Sequence, residues 1–112
     1  MPRLVRQITS FTSKELRALF KKARIVCRHT GLDIKQAPSS GEIGKIVVIT
    51  PRKIGSAPVR NKIRRQLKSI FYQDKLYLHK TDIVIYCKKD SADLSYATLK
   101  ELLYNALTQA TC

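Results

Sequence analysis

Acidic residues are scarce in this 112-residue chain: eight Asp and Glu stand against 22 Lys and Arg, a formal charge of +14 and a pI near 10.1. A compact domain so unbalanced repels itself unless a polyanion is near. RNA, DNA and an anionic membrane surface are the partner classes this charge suits, and a secreted cationic protein fits the charge alone. The same scarcity speaks against a protein nuclease, which gathers carboxylates around metal ions or uses His with Lys or Arg. The acids are dispersed: Asp82 heads an expected strand and Asp93 an expected helix. His29 and His79 lie far apart in the chain, and no Gly-rich phosphate loop occurs. No catalytic residue is expected.

Long apolar runs are also missing. No stretch of about 18 apolar residues is present, so no membrane-spanning helix is expected. Cys27, Cys87 and Cys112 are odd in number and contain no CxxC pair, which argues against a disulfide framework and a zinc site. Arg3 and Arg6 lie near the start without an apolar run of signal-peptide length. The expectation is a cytoplasmic protein with one domain over residues 1–112, of which 1–10 form a flexible segment.

Tryptophan is absent and aromatics make up only 7%, yet hydrophobic residues reach 44%. A core therefore exists and is built mainly of Leu, Ile and Val. Thr12 and Glu15 have capping-box spacing, and Phe11 with Leu16 that of a hydrophobic staple. Leu16, Leu19, Phe20 and Ala23 then recur on one helical face. Strand character follows at Ile25, Val26 and Cys27, and again from Leu32 to Ile34. Residues 36–41, with Pro38, Ser39, Ser40 and Gly41, read as a turn. Ile46, Val47, Val48 and Ile49 read as a strand buried on both faces, ended by Pro51.

Ser56 is placed to cap a second helix with Pro58 in its first turn, running to about Gln73 with Ile63, Leu67, Ile70 and Phe71 inward. Ile83, Val84, Ile85, Tyr86 and Cys87 form a further strand. A last helix begins near Asp93 or Ser95 and buries Leu99, Leu102, Leu103, Ala106 and Leu107. The order α-β-β-(β)-α-β-α predicts an α+β fold, a two-layer α/β sandwich.

Residues 52–68 carry seven cations, Arg52, Lys53, Arg60, Lys62, Arg64, Arg65 and Lys68, and no acid. On a helical wheel Ile63, Leu67, Ile70 and Phe71 fill about a third of the circle, and Lys62, Arg64, Arg65 and Lys68 spread over the opposite side. Arg60 falls at the edge of the apolar arc. Solvated helix faces normally mix Glu with Lys, because like charges at i,i+4 are destabilising. Arg offers a planar fork that matches phosphate oxygens. Asn61 adds a neutral donor and acceptor, and the helix start adds free N–H groups.

The stretch Arg52-Lys53-Ile54-Gly55-Ser56-Ala57-Pro58-Val59-Arg60-Asn61-Lys62-Ile63-Arg64-Arg65 resembles the signature of the bacterial ribonuclease P protein family. There a basic pair and a Gly-x-Ala turn lead into an Arg-Asn-Arg-x-Lys-Arg helix. The first helix, the late strand and the last helix are similar too, so the likeness covers nearly the whole chain. It implies a left-handed βαβ crossover, which general crossover statistics would not suggest. It also implies partners: the catalytic ribonuclease P RNA and precursor tRNA, with no membrane and no protein partner. Arg52, Lys53, Arg60, Asn61, Lys62, Arg64, Arg65 and Lys68 would face the RNA subunit. Leu16, Phe20 and Ile34 would line a cleft for the 5′ leader. The holoenzyme, an endoribonuclease of tRNA 5′ maturation, would use Mg²⁺ through its RNA, with none held tightly by the protein. Lys62 and Arg64 exchange Lys and Arg against the usual motif, Leu16 stands where Phe is frequent, and Ile34 stands near where some members have Tyr. Competing readings are a ribosomal protein binding rRNA and a DNA-binding regulator with Asn61 and Gln66 as base readers.

Overall fold

The computed structural model describes residues 8–39 and 41–108. Helix α1 spans Ser13–Lys22, followed by β1 (Arg24–Arg28), β2 (Leu32–Pro38) and β3 (Ile46–Ile49). A 3₁₀ turn at Arg52–Ile54 leads into α2 (Ala57–Gln73). A second at Leu76–His79 precedes β4 (Thr81–Cys87), and a third at Lys89–Asp93 precedes α3 (Tyr96–Thr108). The bracketed third strand of the expected order does form, and the architecture is the expected α+β one.

The sheet order is β1-β2-β4-β3. β1 and β4 run antiparallel to β2, and β3 runs parallel to β4. Helix α2 is therefore the crossover between two parallel neighbours. Along β4 the burial follows the strand period. Ile83, Ile85 and Cys87 join Leu32 and Ile34 of β2, Ile46 of β3, and the apolar stripes of α2 and α3 in the main core. Ile63, Leu67, Ile70 and Phe71 are all buried, as are Leu99, Leu102, Leu103 and Ala106, while Leu107 is only partly so. Alternate residues face the other way. There Val84 and Ala37 meet Leu19, with Phe11, Ala23, Val47 and Ile49 packed around them. The two-layer body is thus α2 and α3 on one face, and α1 covers part of the opposite face.

Several local expectations change. The apolar strand at Ile46–Ile49 is an edge strand in which only Ile46 is fully buried; the doubly covered strand is β4. The expected turn at 36–41 begins later, because β2 continues through Pro38. Proline is tolerated there for a geometric reason. Ser39 N–H donates to the Lys80 carbonyl on the β4 side, so the nitrogen of Pro38 points to the other flank. β1 has already ended on that flank, since its pairing starts at Arg24 opposite Gln36.

The capping box forms: Glu15 N–H donates to Thr12 Oγ1 and Thr12 N–H to Glu15 Oε1, each at 3.1 Å. Phe11 packs on the small cluster around Leu19, beneath the Lys45 ammonium, 5.3 Å from its ring centroid. Of the expected apolar face of α1 only Leu19 is buried, and Phe20 is half exposed. Ser56 holds the N-cap position of α2 without a side-chain bond. Ser95, not Asp93, caps α3, its Oγ accepting from Thr98 N–H at 3.1 Å; Asp93 ends the preceding 3₁₀ turn. Residues 1–7 and Cys112 lie outside the described residues. Ile8, expected in a flexible segment, is fully buried in the core. Cys87 is a buried free thiol, whereas Cys27 is disulfide-bonded, an exception to the expectation from cysteine spacing.

Candidate nucleic-acid interface

Helix α2 is held by its apolar stripe, and this holds its cations outward. Ile63 and Leu67 anchor one side in the core. Lys62 and Arg65 are exposed, and so are Arg52 and Lys53 on the 3₁₀ turn before the helix. Gly55 joins turn to helix at φ 152°, a backbone region that favours glycine. Asn61, Arg64, Arg65 and Lys68, spaced over two turns, line one shallow groove of about 560 Å³ with Pro58.

Arg64 is less free than its neighbours. Its guanidinium donates to Thr50 Oγ1 and to Asn61 Oδ1. The first contact ties α2 to the segment leaving β3. The second turns the Asn61 carboxamide so that its NH₂ remains available. Arg60 is half-buried at the edge of the apolar arc, and its Nε has no hydrogen-bond partner among the described residues. Burial, followed by the nearby Arg64 charge, lowers the Lys68 pKa; a phosphate between them would relieve that repulsion.

The ion pairs among the described residues are Lys45 with Glu15, Lys88 with Asp33 and Lys100 with Asp74. None involves a cation of residues 52–68, so the stripe is uncompensated within the described chain. No group of three or more His, Cys, Asp and Glu among the described residues is placed to hold a metal ion. Among the described residues no helix is long and apolar enough to cross a membrane.

The three expected cleft residues do not share a surface. Phe20 is exposed and Leu16 half-buried on α1, but Ile34 has no exposed surface and belongs to the core on the far side of the sheet. The strand period explains the error: position 34 lies in phase with Leu32, facing α2 and α3. On the face that α1 partly covers, the registers align Lys35, Val84 and Val47 in one row across β2, β4 and β3, and Asp33, Tyr86 and Ile49 in another. Tyr86, exposed between buried Ile85 and Cys87, is the aromatic of that face which sequence reasoning missed. Alternation within the strand was the signal available.

A cationic helix anchored on one face of a mixed sheet defines an α+β domain for binding a polyanion. The family model for ribonuclease P matches residues 3–111, and the chain belongs to that family. It is 28% identical over 101 residues to the ribonuclease P protein component of Streptococcus mutans, covering 88% of this chain and 82% of that one. It is 37% identical over 60 residues to the Mycoplasma capricolum protein component, covering 52% and 55%. The fold matches the RNase P protein of Staphylococcus aureus with a TM-score of 0.75 at 17% identity over 90% of this chain and 93% of that one. It matches that of Thermotoga maritima with 0.74 at 20% identity over 90% and 96%.

Proposed function

We propose that this chain is the protein subunit of ribonuclease P, binding the catalytic RNA through α2 and the 5′ leader of precursor tRNA across the sheet face beside α1. The carrying observation is the groove of Asn61, Arg64, Arg65 and Lys68, four polar or cationic side chains with no carboxylate opposite them. Arg52 and Lys53 extend the cationic surface before the helix. In this reading the RNA performs the hydrolysis. The protein neutralises phosphate repulsion and holds the single-stranded leader straight. Phosphate oxygens gathered by the complex attract Mg²⁺, a hard cation that prefers oxygen ligands, so the metal is the RNA's. The reaction belongs in the cytoplasm, with precursor tRNA as substrate.

Exposed Phe20 and Tyr86 supply flat apolar surface for bases, each stacked base being worth about 1–3 kcal/mol. Ile34 takes no part. A ribosomal role draws no support from the relatives. The test is reconstitution: added to ribonuclease P RNA at low Mg²⁺, the protein restores leader removal from precursor tRNA. Failure to stimulate cleavage while the protein remains folded would overturn the proposal.

A further inference from the structure

A second cationic groove lies at the corner of the sheet diagonally opposite the start of α2. It is lined by Lys22, Arg24 and Lys80 over Ile25 and Pro38, with Gln36 at its side, and has a volume of about 480 Å³. None of its lining residues is acidic. The topology builds it from three separate places. Lys22 ends α1, Arg24 opens β1, and Lys80 precedes β4. β1 stops short of β2 here, leaving Ala37 and Pro38 without a strand beside them on that flank. β3 lies at the other edge of the sheet and runs toward the opposite end of β4. The length of β4 therefore separates this groove from the turn at Arg52–Ile54 by about 20 Å.

Two features argue for a use of the groove. Lys80 has φ 55°, a left-handed conformation usually given to Gly or Asn. The turn sets its exposed side chain among the residues that line the groove. The uncovered flank of β2 also carries Pro38, which has no N–H to offer an added strand. Peptide docking by strand addition is thereby blocked, while cations around an apolar floor suit a phosphate and an unpaired base.

We propose that Lys22, Arg24 and Lys80 form a second RNA-contact site that takes a nucleotide of the single-stranded precursor leader upstream of those on the sheet face. The cations hold its phosphates, its base lies on Ile25 and Pro38, and Gln36 meets the base edge. The proposal rests on the function proposed above. The leader is favoured over the RNA subunit because the groove sits on the α1 and β1 side, diagonally away from the α2 stripe. Its size also suits an unpaired nucleotide rather than a duplex.

The test compares holoenzymes carrying wild-type protein or the K22Q/R24Q/K80G variant, with precursors bearing long or very short leaders. Glycine keeps the backbone turn at position 80, and a K22R/R24K/K80R variant preserves charge. Wild-type protein must first support cleavage; if it does not, the functional reading fails, and this site with it. Given an active wild-type, the neutral variant should bind the long-leader precursor about tenfold more weakly. Its log–log salt slope should be shallower by about 1.4 units, from the two phosphates flanking the bound nucleotide at roughly 0.7 each on a single strand. Short-leader binding and RNA-subunit affinity should stay unchanged, and the charge-preserving variant should restore the slope. An unchanged slope with the long leader would refute the site. Equal loss with both leaders, or weakened RNA-subunit binding, would refute the leader as its occupant.

Discussion

Lys45 Nζ lies 3.0 Å from Glu15 Oε2, joining the chain just before β3 to the first turn of α1. Lys45 also donates to the Ser10 carbonyl at 3.0 Å and rests over the Phe11 ring. One side chain thus gathers the segment leading into α1, its capping box and the sheet. The hydrogen bond from Lys45, with those from Thr12, holds the Glu15 carboxyl below its ordinary pKa. A depressed carboxylate contributes stability that is complete above the unfolded-state value and is lost as pH falls through the folded one. A carboxyl NMR titration should place the Glu15 midpoint below that of a model glutamate, and Lys45→Ala should move it upward. An unmoved midpoint would show that the pair does not persist in solution.

Asp82 behaves in the opposite sense. Burial raises its pKa, partly offset by the Lys45 N–H that it accepts at 2.9 Å. A raised carboxyl favours folding while protonated, and that contribution fades as pH rises through the folded value. Asp82→Asn keeps an acceptor and removes the buried charge, so urea denaturation at neutral pH should find stability equal or higher. Asp82→Ala removes the acceptor and should cost about 1–3 kcal/mol. A large loss in the Asn variant would contradict this account.

Gly44 N–H donates to the Tyr77 carbonyl at 2.8 Å, and a Cβ added at Gly44 would fall 2.2 Å from the Thr81 carbonyl oxygen. The obstacle is backbone, so the start of β4 must move. Gly44→Ala should destabilise by about 1–3 kcal/mol, the range of overpacking, visible as a lower thermal midpoint. Gly31→Ala would meet the Leu94 side chain instead, which can rotate, and should be milder. The reverse ranking would count against the placement of this strand.

Arg64 and Asn61 act as a pair, because the guanidinium donates to the carboxamide oxygen. Removing either should disturb RNA-subunit binding partly through the other. A double-mutant cycle of Asn61→Ala and Arg64→Ala should give a coupling of about 0.5–3 kcal/mol. Exposed Arg65, which lacks such a bond among the described residues, should combine additively with Asn61. Strict additivity of Asn61 with Arg64 would show that the contact does not shape the bound state.

The sequence alone determined what depends on neighbours along the chain. The charge imbalance, the cap at Thr12, and α2 with Ile63 and Leu67 on one side and Arg65 on the other follow from spacings of three to eight residues. The motif beginning at Arg52 was legible for the same reason. Tertiary structure decided what depends on strand order and register, which short-range patterns do not encode. It made the apolar run at Ile46 an edge, turned Ile34 into the core and Tyr86 outward, and brought Lys22, Arg24 and Lys80 into one groove. Side chains 58 residues apart meet there only because β2 pairs with both β1 and β4.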